Sequence, residues 1–372
     1  MEPGGAFSDL TRTLEALFAK GVGATLEENS FNELALRVFA FQFEANPVYR
    51  GFCTRKGRSP DSVTAWEDVP TVPTTAFKYV DLACVHPSAA EATYVTSGTT
   101  SGSERRGRHH VPSVALYRAS AVPNLRAHLV PEDHSLTVLS LIPSPRDAPH
   151  SSLSAMMGFV AEAWGEPTVW LGRADGTIDL DVLRISAREA AGLGSPVLLA
   201  GTAFAFVHLL DELARAGESL ALPGGSRIME TGGFKGRSRT VRREELYGAL
   251  EARTAVPRGR IVNEYGMTEL LSQLYEPVLR EGPGASGRHV PPPWLKVRAL
   301  DPATLAPVPA GSPGLLAFFD LANAGSVSHV LTQDVGTVTP DGVRIHGRAE
   351  GAEPRGCSLA LEDILGAKEG LG

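Results

Sequence analysis

Apolar runs recur through the middle of the chain with helix-like segments between them. Residues 136–143 (LTVLSLIP), 167–172 (PTVWLG), 196–204 (PVLLAGTAF), 226–233 (SRIMETGG) and 259–269 (GRIVNEYGMTE) read as strands. Residues 151–165, 179–190 and 204–216 carry helical spacing. The hydrophobicity of these strands is continuous rather than alternating, so both faces of the sheet they form must be covered. Strands separated by helices give a mostly parallel sheet in an α/β fold.

The two ends differ from this middle. Near the N-terminus, 8–20 read as a helix with Leu10, Leu14, Leu17 and Phe18 near one face. A second helix is expected from Ser30, where Ser30 and Glu33 have capping-box spacing. Pro70 and Pro73 make 65–82 a connector rather than a helix. Residues 93–96 (TYVT) are a short strand leading into a polar loop, and a helix follows over 111–128. Beyond 290 the runs 294–302, 314–321 and 326–347 are strand-like with Asp, Pro and Gly turns, and a final short helix ends at about 365. The expected organisation is an α/β body over 1–285, a smaller β-rich subdomain over 286–347, and a short segment over 348–372 that carries Cys357.

Composition narrows the class. The chain has 372 residues, 43% hydrophobic and 21% charged, as in globular proteins rather than disordered ones. Its formal net charge of -7 argues against a nucleic-acid partner, which asks for a basic face. The cysteines Cys53, Cys84 and Cys357 are scattered and form no metal-ligand run. No apolar stretch is long enough for a membrane span, and the N-terminus lacks the pattern of a signal peptide, so the cytoplasm is the expected compartment.

Two segments carry chemistry. TSGTTSGSERRG (96–107) places glycines, hydroxyls and two arginines just after a strand. Glycine lets backbone amides converge on an anion, and hydroxyls and arginines add donors, so the segment fits a phosphate-binding loop, though not the Walker A pattern. Taken alone it fits a surface turn equally well. NEYGMTEL (263–270) ends a strand with Tyr265, Thr268 and the acids Glu264 and Glu269. Such a loop can stack on a base, bond a phosphate and hold magnesium; a capped helix start would use the same residues.

These two segments, in this order, resemble the signatures of the adenylate-forming superfamily, TSGTTG and YGxTE. The resemblance implies an adenylate-forming body whose first loop embraces the phosphates of ATP through Thr96, Ser97, Thr99, Thr100 and Ser101. It implies that Tyr265 stacks near adenine, Thr268 bonds the α-phosphate and Glu269 helps place Mg²⁺. TGGFKG (231–236) stands where the family has an adenine-side loop, which assigns Gly232, Gly233 and Phe234 to the nucleotide. Asp334 stands where an aspartate bonds the ribose hydroxyls, and Arg348 where a hinge arginine approaches ribose or phosphates.

Within the superfamily the chain resembles the LuxE-like acyl-protein synthetases, a branch related to phenylacetate–CoA ligases. VPTVPTTAFK (69–78), HVPPPWLKVRALDP (289–302) and EPRGCSLALEDIL (353–365) carry that resemblance. It implies activation of a fatty or aryl carboxylic acid as an acyl-adenylate. Transfer to Cys357 follows, then to a partner such as an acyl reductase or carrier protein. Two departures stand out: Ser101 replaces a glycine of the first signature, and the chain ends about 25 residues after Gly347-Arg348, so the large C-terminal lid domain of acyl-CoA synthetases is expected to be absent. Transfer to a carrier protein, an amine or CoA, or a non-catalytic nucleotide- or acid-binding role, are the alternatives. His150 is a candidate for the acyl pocket or for a surface role. His109 and His110 read as a polar loop edge.

Overall fold

The computed structural model describes residues 3–96, 105–132, 136–164, 167–232, 241–349 and 354–370. Its strands are β1 (Val72–Pro73), β2 (Ala92–Val95), β3 (Arg108–Val111), β4 (Thr137–Pro143), β5 (Thr168–Gly172), β6 (Val197–Thr202) and β7 (Arg227–Thr231). They continue with β8 (Ile261–Tyr265), β9 (Leu274–Tyr275), β10 (Leu295–Leu300), β11 (Pro313–Asp320), β12 (His329–Thr339) and β13 (Gly342–Arg348). Packing divides the chain into two units: one of residues 1–123, 267–273 and 290–372, the other of 124–266 and 274–289.

The second unit is the α/β body that the apolar runs predict. Its sheet has the order β5-β4-β6-β7-β8-β9, parallel except where β9 returns against β8. The helices between the strands start and stop on local signals. Asp179 accepts from the Val182 amide to cap the helix Leu180–Leu193, and Gly194 ends it in a left-handed conformation. Thr202 and Gly217 do the same for Ala203–Ala216. Leu139, Leu199, Phe206, Ile228 and Leu250 lie buried in one core between strands and helices. Each such side chain contributes roughly 1.5–3 kcal/mol by leaving water.

One glycine in this unit has a close-approach role. A Cβ on Gly172 would lie 2.1 Å from the main-chain oxygen of Leu141 on the neighbouring strand. Gly172→Ala therefore forces β5 away from β4. The expected result is a loss of about 1–3 kcal/mol, the scale of an overpacked core. It would be read as a lower urea midpoint with an unchanged slope. A midpoint equal to that of the wild type would show that the strands separate without cost.

In the first unit a five-stranded sheet runs β1-β12-β11-β10, with β13 paired to β12. The pairs among β10 to β13 are antiparallel, and β12 and β13 are joined by a tight two-residue hairpin. β1 joins in parallel, Val72 opposite Val330 and Pro73 opposite Leu331. This short pairing brings the proline-rich connector onto the β-rich part, so packing groups the chain differently from a linear division at 285/286 and 347/348. The helices Pro3–Phe18, Glu28–Ala45 and Pro47–Arg55 belong to the same unit.

Local details differ from the sequence expectations for identifiable reasons. The second helix starts at Glu28, with Glu27 at the N-cap and no side-chain cap, so Ser30 lies within the first turn and the expected capping box does not form. Tertiary contacts take its place: Glu28 accepts from Trp66 Nε1 at 3.0 Å and from Lys296 Nζ at 2.7 Å. Residues 108–111 are strand β3, and the next helix begins only at Val114. The last helix spans Arg355–Glu369, longer than expected, and takes Cys357 into its first turn.

Candidate active site

In the first unit, β2 and β3 pair as a hairpin, Thr93 opposite His110 and Val95 opposite Arg108. Its open end is fastened by Thr96. The Thr96 amide donates to the Gly107 oxygen at 2.9 Å, and Thr96 Oγ1 accepts from the Gly107 amide at 2.9 Å. The first signature loop hangs from this closure. Arg105 and Arg106 are exposed beside it. Ser97, Thr99, Thr100 and Ser101 lie outside the described residues, as do Gly233 and Phe234.

The second signature crosses from one packing unit to the other between Gly266 and Met267. On the first-unit side, Thr268 is half-buried and Glu269 is buried. The main chain here is held by side chains distant in sequence. His109 Nδ1 donates to the Thr268 oxygen at 2.7 Å, and Asn323 Nδ2 donates to the Glu269 oxygen at 2.7 Å. The Asp320 carboxylate accepts from the Leu271 and Ser272 amides, both at 2.9 Å, and from Ser272 Oγ at 2.6 Å. Burial pushes the Asp320 carboxyl up to about 6, against these hydrogen bonds, which lower it.

Asp334 and Arg348 face each other across β12 and β13 as register partners, with Arg348 Nε 3.8 Å from the Asp334 carboxylate. The arginine side chain is 59% exposed and the aspartate 22%, so the pair adds little to stability and both groups can meet a ligand. A tight turn at Pro340-Asp341 joins the strands, and a register shift between Val335 and Gly336 brings Arg348, rather than Gly347, opposite Asp334.

On the second-unit side, Tyr265 ends β8, half-buried, edge-on to His289 at 6.4 Å between ring centres. His289 Nε2 bonds the Asn263 side-chain oxygen at 2.7 Å, Asn263 donates to Glu230 at 2.5 Å, and the Tyr247 hydroxyl donates to Glu230 at 3.2 Å. Burial pushes the Glu230 carboxyl up to about 7. Thr231 Oγ1 donates to Glu264. Gly232, exposed with φ at +76°, turns the chain out of β7.

Cys357 is 1% exposed, packed among Leu300, Leu315, Ala317 and Leu331. Its Sγ lies 3.9 Å from the Thr332 oxygen. His150 is exposed on the turn before the helix Ser152–Trp164. The expected loop edge at His109 and His110 is corrected: both are buried on β3, and His110 bonds Asp81 and Thr93. Asp320, Asn323, Glu230 and Asn263 have no role in the sequence expectations, and His109 has only that of a loop edge. A signal existed for two of them: Asp320 ends an otherwise apolar strand (GLLAFFD) and Glu230 follows the apolar pair Ile228-Met229 within a strand, where an acid costs energy unless it is bonded. A pocket of about 360 Å³ lined by Arg298, Pro307, Val308 and Pro340 contains none of the expected site residues.

A parallel-sheet body combined with this mixed five-stranded sheet defines the fold of an adenylate-forming enzyme. Two solved structures of 2-hydroxyisobutyryl-CoA ligase share it. The open conformation with 2-HIB-AMP and CoA has a TM-score of 0.62 at 16% identity, covering 87% of this chain and 71% of that one. The postadenylation state with 2-HIB-AMP has a TM-score of 0.64 at 16% identity, covering 87% and 68%. The chain belongs to the acyl-protein synthetase family LuxE, whose profile matches residues 23–366. It is similar to the long-chain-fatty-acid–luciferin-component ligases of Aliivibrio fischeri, 25% identical over 349 residues, and of Vibrio harveyi, 24% identical over 349 residues. Those alignments cover 90% and 91% of this chain and 88% of each relative. The protein is thus an enzyme of the acyl-protein synthetase, carboxylate–AMP ligase kind. Among the described residues no helix is long and apolar enough to cross a membrane.

Proposed function

We propose that this enzyme activates a fatty acid with ATP and passes the acyl group to a protein thiol. In the first step a carboxylate oxygen attacks the α-phosphorus in line. The Pα–O bond to the β-phosphate breaks, and pyrophosphate leaves with the bonding electrons. The chain's contribution is positioning and charge stabilisation. The hydroxyls of Thr96, Ser97, Thr99, Thr100 and Ser101 grip phosphates, Thr268 holds the α-phosphate, and Tyr265 with Gly232, Gly233 and Phe234 lines the adenine. Asp334 accepts hydrogen bonds from both ribose hydroxyls, and Arg348 approaches ribose or phosphate. In the second step a thiolate attacks the acyl carbon and AMP leaves.

Magnesium fits this donor set in one way. Among the described residues no three acidic, histidine or cysteine side chains gather to cage a metal. One carboxylate, Glu269, would suffice, because Mg²⁺ keeps waters and substrate phosphates as its other ligands. The ion would supply positive charge to the phosphates there.

The observation that carries the reading is the fixing of the Thr268–Glu269 main chain by His109 and Asn323, with the Asp334–Arg348 pair in the same packing unit. Acid-dependent exchange between ATP and pyrophosphate, screened over fatty and aryl acids, tests it. The absence of exchange with every acid would overturn it. The burial of Cys357 favours a second reading, in which the adenylate goes straight to an external carrier protein, amine or CoA. For the fatty-acid reading, a reductase that takes the acyl group is the proposed partner.

Asp334 gives a separate test. Removing a charged acceptor from two hydroxyls costs about 1.5–3 kcal/mol. Asp334→Ala should therefore weaken ATP binding about 10- to 100-fold by calorimetry. Equal affinity in the variant would remove Asp334 from the ribose site.

A further inference from the structure

We propose that His109 is a positioning residue for adenylate formation, tying the hairpin that carries the first signature loop to the main chain of the second signature. The proposal rests on the role given above to Thr268. Gly107 closes the first loop through two hydrogen bonds with Thr96. Two residues further along the same strand, His109 reaches the Thr268 carbonyl at 2.7 Å. One short strand therefore fixes the frame of the first signature and one peptide of the second. Asn323 holds the next peptide at Glu269.

The chemistry of His109 suits a fixed brace rather than a proton carrier. A carbonyl can only accept, so Nδ1 carries the hydrogen. Nε2 is buried with no partner among the described residues. A second proton there would have nothing to bond, and burial pushes the imidazole down to about 4, against the bond to Thr268, which raises it. The ring stays neutral near pH 7, with one tautomer and one donor direction. Phe77 packs edge-on against it at 5.5 Å. Loss of the brace lets the Thr268 hydroxyl wander while leaving that hydroxyl in place. Small displacements of positioning groups cost about 100-fold in rate.

The test compares His109→Ala, His109→Asn and His109→Gln in the full chain, with acid-dependent pyrophosphate exchange as the assay. Asparagine offers an N–H at the place of Nδ1; glutamine offers its own one bond further out. His109→Ala should lower kcat about 10- to 100-fold, with KM for ATP changed less than about threefold. His109→Asn should recover most of the rate and His109→Gln little. In a Thr268→Ala background the His109→Ala loss should largely disappear, because both changes remove one function. Wild-type kcat in folded His109→Ala would overturn the proposal, as would Asn and Gln variants equally impaired. If the alanine variant does not fold, the Asn and Gln pair decides. If wild type shows no exchange with any acid, the function reading fails and hydrogen exchange judges the brace alone. Amides 266–274 should then exchange faster in the Gln variant than in the Asn variant, and equal protection would sink the brace.

Discussion

Thr268→Ala combined with Glu269→Ala should reduce acid-dependent pyrophosphate exchange by about 1,000-fold while leaving the protein folded. One preorganised donor at a developing charge is worth about 100- to 1,000-fold in kcat. The pair removes the proposed α-phosphate donor and the proposed magnesium carboxylate together. The fold should survive because several bonds that fix this segment go to its main chain. His109 and Asn323 bond the carbonyls of residues 268 and 269, and Asp320 bonds the amides of 271 and 272. Alanine keeps all of those groups. A melting temperature near that of the wild type, with exchange lost, is the expected pair of results. Exchange within about threefold of the wild type in the folded variant would remove both residues from the site.

Cys357→Ser should keep pyrophosphate exchange and abolish any hydroxylamine-labile acyl label on the protein. The two half-reactions separate because only the second needs a thiolate; a serine hydroxyl is a far weaker nucleophile without an activating base. Cys53→Ser and Cys84→Ser should keep the label. Burial pushes the Cys53 thiol up to about 12 and the Cys84 thiol up as well, so neither ionises near neutral pH. Cys357 is itself buried at the start of the helix Arg355–Glu369, so its acylation requires that helix to leave its seat. That seat includes Lys56–Asp363 at 2.5 Å and the Lys368 ammonium on the Tyr79 oxygen at 3.0 Å. With an acid already competent in exchange, intact mass should rise by one acyl group on wild type. No adduct, or an adduct on another residue, would defeat the relay and favour direct transfer to an external acceptor.

Much of the fold was legible because its signals are local. The helix Leu180–Leu193 begins at an aspartate cap and ends at a glycine with positive φ, and both act within one turn. The capping box at Ser30 and Glu33 was equally local and did not form. Glu28 found Trp66 and Lys296 instead, partners 38 and 268 residues away, which no short window contains. The helix Arg355–Glu369 extends beyond its expected bounds for a similar reason. Gly356 packs against Leu305, and its amide donates to the Pro302 oxygen, so a segment with glycine at its start is held in helix by neighbours.

The site divides in the same way. The sequence by itself determined the parallel α/β body and the two signatures, because residue type and spacing express those directly. Asp334 meets Arg348 only through a register shift between Val335 and Gly336, which the tight turn at Pro340-Asp341 does not dictate. Only the tertiary structure decided what holds the second signature and the residues just after it: His109 and Asn323 reach the signature from 159 and 54 residues away, and Asp320 reaches Leu271 and Ser272 from 49 and 48. It also decided that two histidines reading as a polar edge lie inside, and that the Cys357 thiol is covered. Burial and hydrogen-bond partnership depend on which distant segments meet. A histidine on a short strand looks the same in sequence whether its partner is water or the carbonyl of a signature residue.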